Sequence, residues 1–367
     1  MVDSVDASRA GARLTVDLGA IRANYRQLAN MSRASCAAVM KADAYGLGME
    51  QVAPALALEG CKVFFTAHLQ EAIALRQLVP EHCLIYVLHG PPPGTARDFF
   101  QYDLTPVLND PGQLQEWRAL ALKLGQALPA AIQFDTGMSR MGVAPSDLTA
   151  LSAQPDWLLG VRPTLVMSHL ACADESDHPM NESQRRRFDA LRELLPGVPA
   201  SLANSSGIYL GPEYHYDLLR PGAALYGINP QPGRPNPLQQ AVSLHARVVQ
   251  VRTVRDGDVV GYGAHHVCTG ERRIATVSVG YADGWQRSLS GRGQAAIDGV
   301  VVPIVGRVSM DSMGLDVTGI PAERVVPGAE VELMGPTLPV DDVAALAGTI
   351  GYEVLTRLGA RFHRRYL

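Results

Sequence analysis

The stretch Ala34-Ser35-Cys36-Ala37-Ala38-Val39-Met40-Lys41 is a short run of small and apolar residues that ends on a lysine. It shows no polar alternation, so it reads as a strand covered on both faces, the kind that builds parallel sheets. Seven more such runs follow, at residues 62–67, 83–90, 104–108, 130–136, 162–170, 200–205 and 217–227. Helical patterns separate most of them, among them residues 69–78, 113–124 and 181–195. Eight strand-then-helix units in roughly 210 residues fit the count and size of a (β/α)8 barrel. An open, doubly wound sheet is the competing architecture.

Outward from this core the pattern changes at both ends. Residues 1–13 read as a disordered or extended tail. Asp17 then caps a helix with Leu18, Ile21, Tyr25 and Leu28 on one face. The barrel is expected over residues 14–232. The stretch Asn229-Pro230-Gln231-Pro232-Gly233-Arg234-Pro235-Asn236-Pro237 admits neither helix nor central strand and reads as a linker. Residues 233–367 are expected to form a mainly antiparallel β domain, with strands at 242–254, 273–279, 295–305, 313–317 and 330–334 and a final helix over 341–358.

Composition narrows the function. Of the 367 residues, 47% are hydrophobic and 19% charged, which suits a folded globular chain rather than disorder. A net charge of -4 gives no basic footprint for nucleic acid or an anionic membrane. No apolar run is long enough for a membrane span, and the N-terminal residues lack the apolar core of a secretory signal. The five cysteines never form CxxC, which favours free thiols in a reducing compartment. A cytoplasmic protein handling a small molecule is expected, with no metal, since no HxH or HExxH is present.

A barrel of this kind places its active site at the carboxyl ends of its strands. There the sequence puts Lys41 to Gly48 after strand one, Asp135 to Gly142 after strand five and Ser168-His169-Leu170 after strand six. Asn204-Ser205-Ser206-Gly207 follows strand seven and Arg220-Pro221-Gly222 follows strand eight. Of 32 basic residues only three are lysines, Lys41, Lys62 and Lys123. A lysine desolvated at a barrel mouth can lose its proton and form a Schiff base, which arginine cannot do. The loops after strands seven and eight commonly hold phosphate, and Ser205 and Gly222 lie there. Schiff base and phosphate together are what pyridoxal phosphate requires. In the β domain three glycine-bounded segments carry aromatic or polar residues: Gly261-Tyr262-Gly263, Gly280 to Trp285 and Gly306 to Asp311. Ordinary β-turns explain them equally well at this point.

Taken together, the blocks VMKADAYGLG, FDTGMSRMG, SHLACAD, ANSSG, LRPGAALYG, GYG, VSVGYADGWQR and GRVSMDS resemble those of the alanine racemases, in the same order, from about Leu14 to the C-terminus. The resemblance implies an N-terminal barrel, a C-terminal β domain and pyridoxal 5'-phosphate held by Lys41 as a Schiff base. It implies that Tyr45, His169, Asn204, Ser205, Arg220, Gly222 and Tyr226 bind or support the cofactor, with Arg220 at the pyridine nitrogen. Lys41 and Tyr262 of the partner subunit would exchange the α-proton of alanine from opposite faces, so a homodimer with composite sites follows. Arg140, Tyr281, Met310 and Asp311 would meet the substrate. The product would be D-alanine, made for peptidoglycan or degraded. Serine or broader racemisation, a decarboxylase and a non-catalytic cofactor carrier are the alternatives. Four positions depart from the family pattern: Gln133 replaces a frequent lysine, Ser201 a histidine beside Arg220, Ser309 a cysteine, and Ala360 a phosphate-contacting tyrosine.

Overall fold

The structure, a computed structural model, describes residues 9–367, which divide into two units. The first comprises Ile21–Leu225 with Asn229–Leu238. Its strands in chain order are Ser35–Cys36 with Ala38–Val39, Val63–Thr66, Leu84–Val87, Thr105–Leu108, Leu128–Gln133, Val161–Met167, Ala200–Ser201 and Leu218–Leu219. Each pairs in parallel with its sequence neighbour from strand one to strand seven. Strand eight closes the ring. Asp217 and Arg220 donate back to Ala200 and Ala203 at 3.0 Å, while Leu218–Leu219 runs parallel to Ser35–Cys36. A sheet with no free edge is a barrel, so the doubly wound alternative falls.

Burial follows from the apolar runs. Thr105–Leu108 is buried at every residue, and Phe64, Phe65, Ile85, Val107 and Val166 expose nothing. Helices follow most strands, and their ends obey local chemistry. The helix Pro111–Leu124 starts where the Asp110 carboxylate accepts from Gly112 and Gln113, and stops at Gly125 in the left-handed conformation. The helix Leu18–Asn30 starts as expected, with Asp17 Oδ1 accepting from the Ala20 N–H at 2.8 Å.

The second unit comprises residues 9–20, Tyr226–Ile228 and Gln239–Leu367. Six strands close on themselves in antiparallel pairs: Arg272–Val277, Met313–Asp316, Val300–Val305, Gln294–Ile297, Glu330–Met334 and Val242–Val254, the last returning to pair with the first. Ala12–Val16 adds to Val242–Val254 antiparallel, and His363–Tyr366 adds to Ala12–Val16 in parallel.

Three expectations change. Of the expected tail, residues 1–8 lie outside the described residues, but Ala12 and Arg13 are strand, and Ala12–Val16 belongs to the β unit instead of opening the barrel. The partner strand lies more than two hundred residues away, beyond the reach of any local pattern. The single strand over 295–305 is a hairpin, Gln294–Ile297 against Val300–Val305. Asp298-Gly299 takes positive φ at both residues, the usual two-residue turn. The final helix is two, Val340–Ala347 and Gly351–Thr356, because Gly348 ends the first in the left-handed conformation.

Candidate active site

Lys41 stands where barrel strand one ends. The next four residues, Ala42 to Tyr45, all adopt left-handed helical dihedrals, with φ between 54° and 57°. For L-residues this costs about 1–2 kcal/mol each, and no glycine eases it. The turn is held by bonds from Ala44 N–H to Met40 C=O at 2.9 Å and from Gly48 N–H to Asp43 C=O at 3.0 Å. Asp43 Oδ1 accepts from Met49 N–H at 2.7 Å, and Glu71 Oε1 from Ala42 N–H at 2.6 Å. Sequence reading saw only a strand end here, and no residue type announces a left-handed turn. Burial, and then the positive charge of Arg140, hold the Lys41 amine below its ordinary value, while Glu71 works against them. An amine so placed is more readily the free base that attacks an aldehyde.

Around it the expected residues of the barrel gather. A side chain at Gly222 would strike the Tyr45 hydroxyl, so that hydroxyl lies directly over the Gly222 backbone. Ser205 Oγ accepts from the N–H groups of Gly222 at 3.0 Å and Ala224 at 3.2 Å, which leaves its own proton to donate outward. Asn204 Oδ1 accepts from Gly207 N–H at 2.8 Å and shapes the same loop.

Arg220 is buried, and among the described residues no ion pair holds it. Its guanidinium donates to the Ser168 carbonyl at 2.6 Å and to the hydroxyl oxygen of Ser201. Burial lowers Arg220 to about 9, so it remains a cation at neutral pH. His169 is pushed down to about 3, by burial first and then by Arg220, Arg140 and Lys41, and is therefore neutral. Its carbonyl accepts from Gln184 Nε2 at 2.9 Å. Gln184 also bonds Thr136 Oγ1, which meets Ser168 Oγ at 2.7 Å. Gln184 escaped the sequence reading, although it lies on the buried face of its helix with Asn181 and Phe188.

Arg140 sits on a loop shaped by Asp135, whose Oδ1 accepts from Gly137 and Ser139 N–H. With His89, Asn109 and Asp110 it lines a cavity of about 590 Å³. Among the described residues no ion pair holds Arg140, and Gln133, buried nearby in sequence, offers no charge to it.

In the β unit the three glycine-bounded segments come together. A Cβ at Gly263 would lie 3.2 Å from the Arg307 guanidinium, and one at Gly280 would strike the Ser309 and Met310 carbonyls. Tyr281 and Ala282 N–H groups donate to those carbonyls at 3.0 Å. On this surface Tyr262 is 73% exposed and Met310 53%, with Tyr281 and Asp311 also exposed. Tyr226, by contrast, is buried and falls in this unit.

The chain matches the family models for the alanine racemase N-terminal domain over residues 16–230 and the alanine racemase C-terminal domain over residues 241–366. It is 53% identical to a catabolic alanine racemase of Mesorhizobium japonicum, covering 99% of this chain and 95% of that one. It is 49% identical to an alanine racemase of Rhodospirillum rubrum, covering 98% and 96%. Its fold is similar to the crystal structure of alanine racemase from Bartonella henselae with covalently bound pyridoxal phosphate, with a TM-score of 0.94, 40% identity and coverage of 98% of this chain and 100% of that one. The barrel, the β unit and this likeness over nearly the whole length lead to one conclusion: the chain belongs to the alanine racemase family.

Proposed function

We propose that this protein interconverts L- and D-alanine with pyridoxal 5'-phosphate bound through Lys41. The observation that carries the reading is the convergence at the barrel mouth. Tyr45, mounted on the same strained turn as Lys41, meets the Gly222 backbone beside the hydroxyl of Ser205. That cradle of a bare backbone and two hydroxyls fits a phosphate, and Arg220 and His169 lie on the neighbouring strand ends. When bound, the cofactor supplies the electron sink that makes an amino-acid α-proton removable.

The residues then divide the work. Tyr45, Ser205 and Gly222 hold the phosphate, while Asn204, His169 and Tyr226 support them. Arg220 faces the pyridine nitrogen as a cation and disfavours its protonation, which restrains competing reactions. Arg140 orients the substrate carboxylate. Lys41 holds or returns the proton at Cα on one face, and Tyr262 of the partner subunit does so on the other. Two bases are needed because inversion requires removal and return on opposite sides. The exposure of Tyr262, Tyr281, Met310 and Asp311 on one surface supports a homodimer in which they complete the partner's site. Five free cysteines support a reducing, cytoplasmic setting. Enantiomers have equal free energy, so the same site serves D-alanine supply or breakdown, according to which isomer the cell consumes.

The purified protein in D2O should incorporate solvent deuterium at Cα of L-alanine and yield D-alanine, and Lys41→Ala should lose both that exchange and the absorbance of the lysine-bound cofactor. Cofactor uptake without exchange would leave only a carrier, and carbon dioxide release from basic amino acids would mark a decarboxylase.

A further inference from the structure

We infer that Glu71 is a positioning residue for Lys41, its carboxylate tying the left-handed turn that carries Lys41 and Tyr45 to the loop after barrel strand two. The inference rests on the reading of Lys41 as the cofactor's anchor.

The local sequence explains only half of what Glu71 does. It is the third residue of the helix Leu69–Arg76, where a glutamate commonly reaches back to the amide preceding the helix. Oε2 does this, accepting from His68 N–H at 3.0 Å and Ala67 N–H at 2.9 Å. Oε1 does something a helix cap never requires. It leaves the helix and accepts at 2.6 Å from Ala42 N–H, the amide joining Ala42 to Lys41.

That amide is the place where the turn most needs a partner. The first N–H of a helical turn has no carbonyl behind it to bond. Four successive L-residues at positive φ persist only if their surroundings over-determine them. Glu71 secures the start of the turn and Asp43 secures its end through Met49 N–H. Lys41 and Tyr45 sit at the two ends of the strained segment, so a slack first amide would displace both the amine and the hydroxyl over Gly222.

The charge of Glu71 has a second effect. The charged groups acting on Lys41 are Arg140 and Glu71, of which Glu71 is the anion; His89 and His169 also face the amine, which pushes both of them down. It limits how far burial and Arg140 depress the amine.

Two variants of the holoenzyme separate these roles from capping. Glu71→Asp keeps a charged acceptor at the helix start but is one methylene too short to span to Ala42. Glu71→Gln keeps the length and removes the charge, but its one acceptor oxygen serves either Ala42 or the helix start, so its pH shift is the readout that counts. Glu71→Asp should release pyridoxal phosphate on dialysis about tenfold faster than wild type and lower kcat about tenfold or more, with KM for alanine little changed. Glu71→Gln should move the pH dependence of the lysine-bound cofactor's absorbance to lower pH, since an anion favours the protonated nitrogen. If both variants keep cofactor retention, kcat and pH profile within about twofold of wild type while Tm falls, Glu71 merely caps its helix and the inference is wrong. A wild-type protein that takes up no pyridoxal phosphate overturns instead the reading of Lys41, an outcome distinct from the first.

Discussion

Ser201 on barrel strand seven and Arg220 just beyond strand eight form a buried pair in which the guanidinium donates to the serine hydroxyl oxygen. The same hydroxyl passes its own proton to the Leu218 carbonyl, so the serine is satisfied in both directions. This small hydroxyl fixes the arginine without adding a titratable site. Ser201→Ala would leave a charged N–H buried with no acceptor, at a cost of about 1–3 kcal/mol. Urea denaturation should show that loss. An unchanged midpoint would mean that the guanidinium finds another acceptor.

Gly222→Ala tests the phosphate cradle. The added methyl would strike the Tyr45 hydroxyl and must push aside either that ring or the backbone bearing the Ser205-bound amides. Overpacking of this kind costs about 1–3 kcal/mol, or roughly tenfold to a hundredfold in cofactor affinity if it falls wholly on the bound state. Titration of cofactor-free protein with pyridoxal phosphate gives the number. Wild-type affinity would remove the phosphate from this corner.

Tyr262→Phe should retain the absorbance of the lysine-bound cofactor and slow racemisation by about a hundredfold or more, the usual contribution of a positioned acid or base. Because the two substrates are equal in free energy, kcat/KM must fall equally in both directions. The asymmetry appears instead in the isotope effects, which should differ between α-deuterated L- and D-alanine. Equal effects at a near-normal rate would refute the two-base assignment.

Acid should weaken the fold through His169. Burial holds its imidazole neutral down to about 3 in the folded chain, whereas the unfolded chain takes up the proton near the ordinary value of about 6.5. Between those values the unfolded state binds more protons, so stability falls as pH falls and is regained as it rises. At pH 4.5 the loss from this one group is about 2–3 kcal/mol. The slope of Tm against pH over that window should flatten in His169→Asn. Parallel slopes would assign the acid sensitivity elsewhere.

The barrel was legible because each of its strands announces itself locally. The run ending at Lys41 and its seven successors need only their own apolar residues to be recognised, and all eight are strands in the ring. Ser205 and Gly222 were legible for the same reason, being polar or glycine residues just past such runs. What escaped depends on distance or on backbone hand. Ala12 and Arg13 looked like tail and Leu14–Val16 like the start of the barrel, because the residues they pair with begin at Val242. Ala42 to Tyr45 bear side chains that ordinarily avoid positive φ, so only the surrounding bonds explain their conformation. Glu71 drew no notice inside the helical pattern over 69–78, because one of its oxygens caps its own helix and the other serves a turn that its own segment does not contain. At Asp298-Gly299 the turn signal was present in the sequence, but the apolar residues on both sides masked it.

The pairing of Ala12–Val16 also sets a timetable for the nascent chain. This strand leaves the ribosome early, yet the residues it must join begin with Val242 and finish with His363–Tyr366. At typical synthesis rates of about 5–20 residues per second, the first of those partners emerges roughly 10–45 s later. The barrel can condense in that interval from neighbours already made, while an apolar strand waits beside it with open edges. The β unit, with Tyr262 and Met310, is therefore assembled last. A ribosome stalled after Leu219 but before Val242 leaves a barrel that holds Lys41 and trails an unpaired strand, a natural substrate for chaperones.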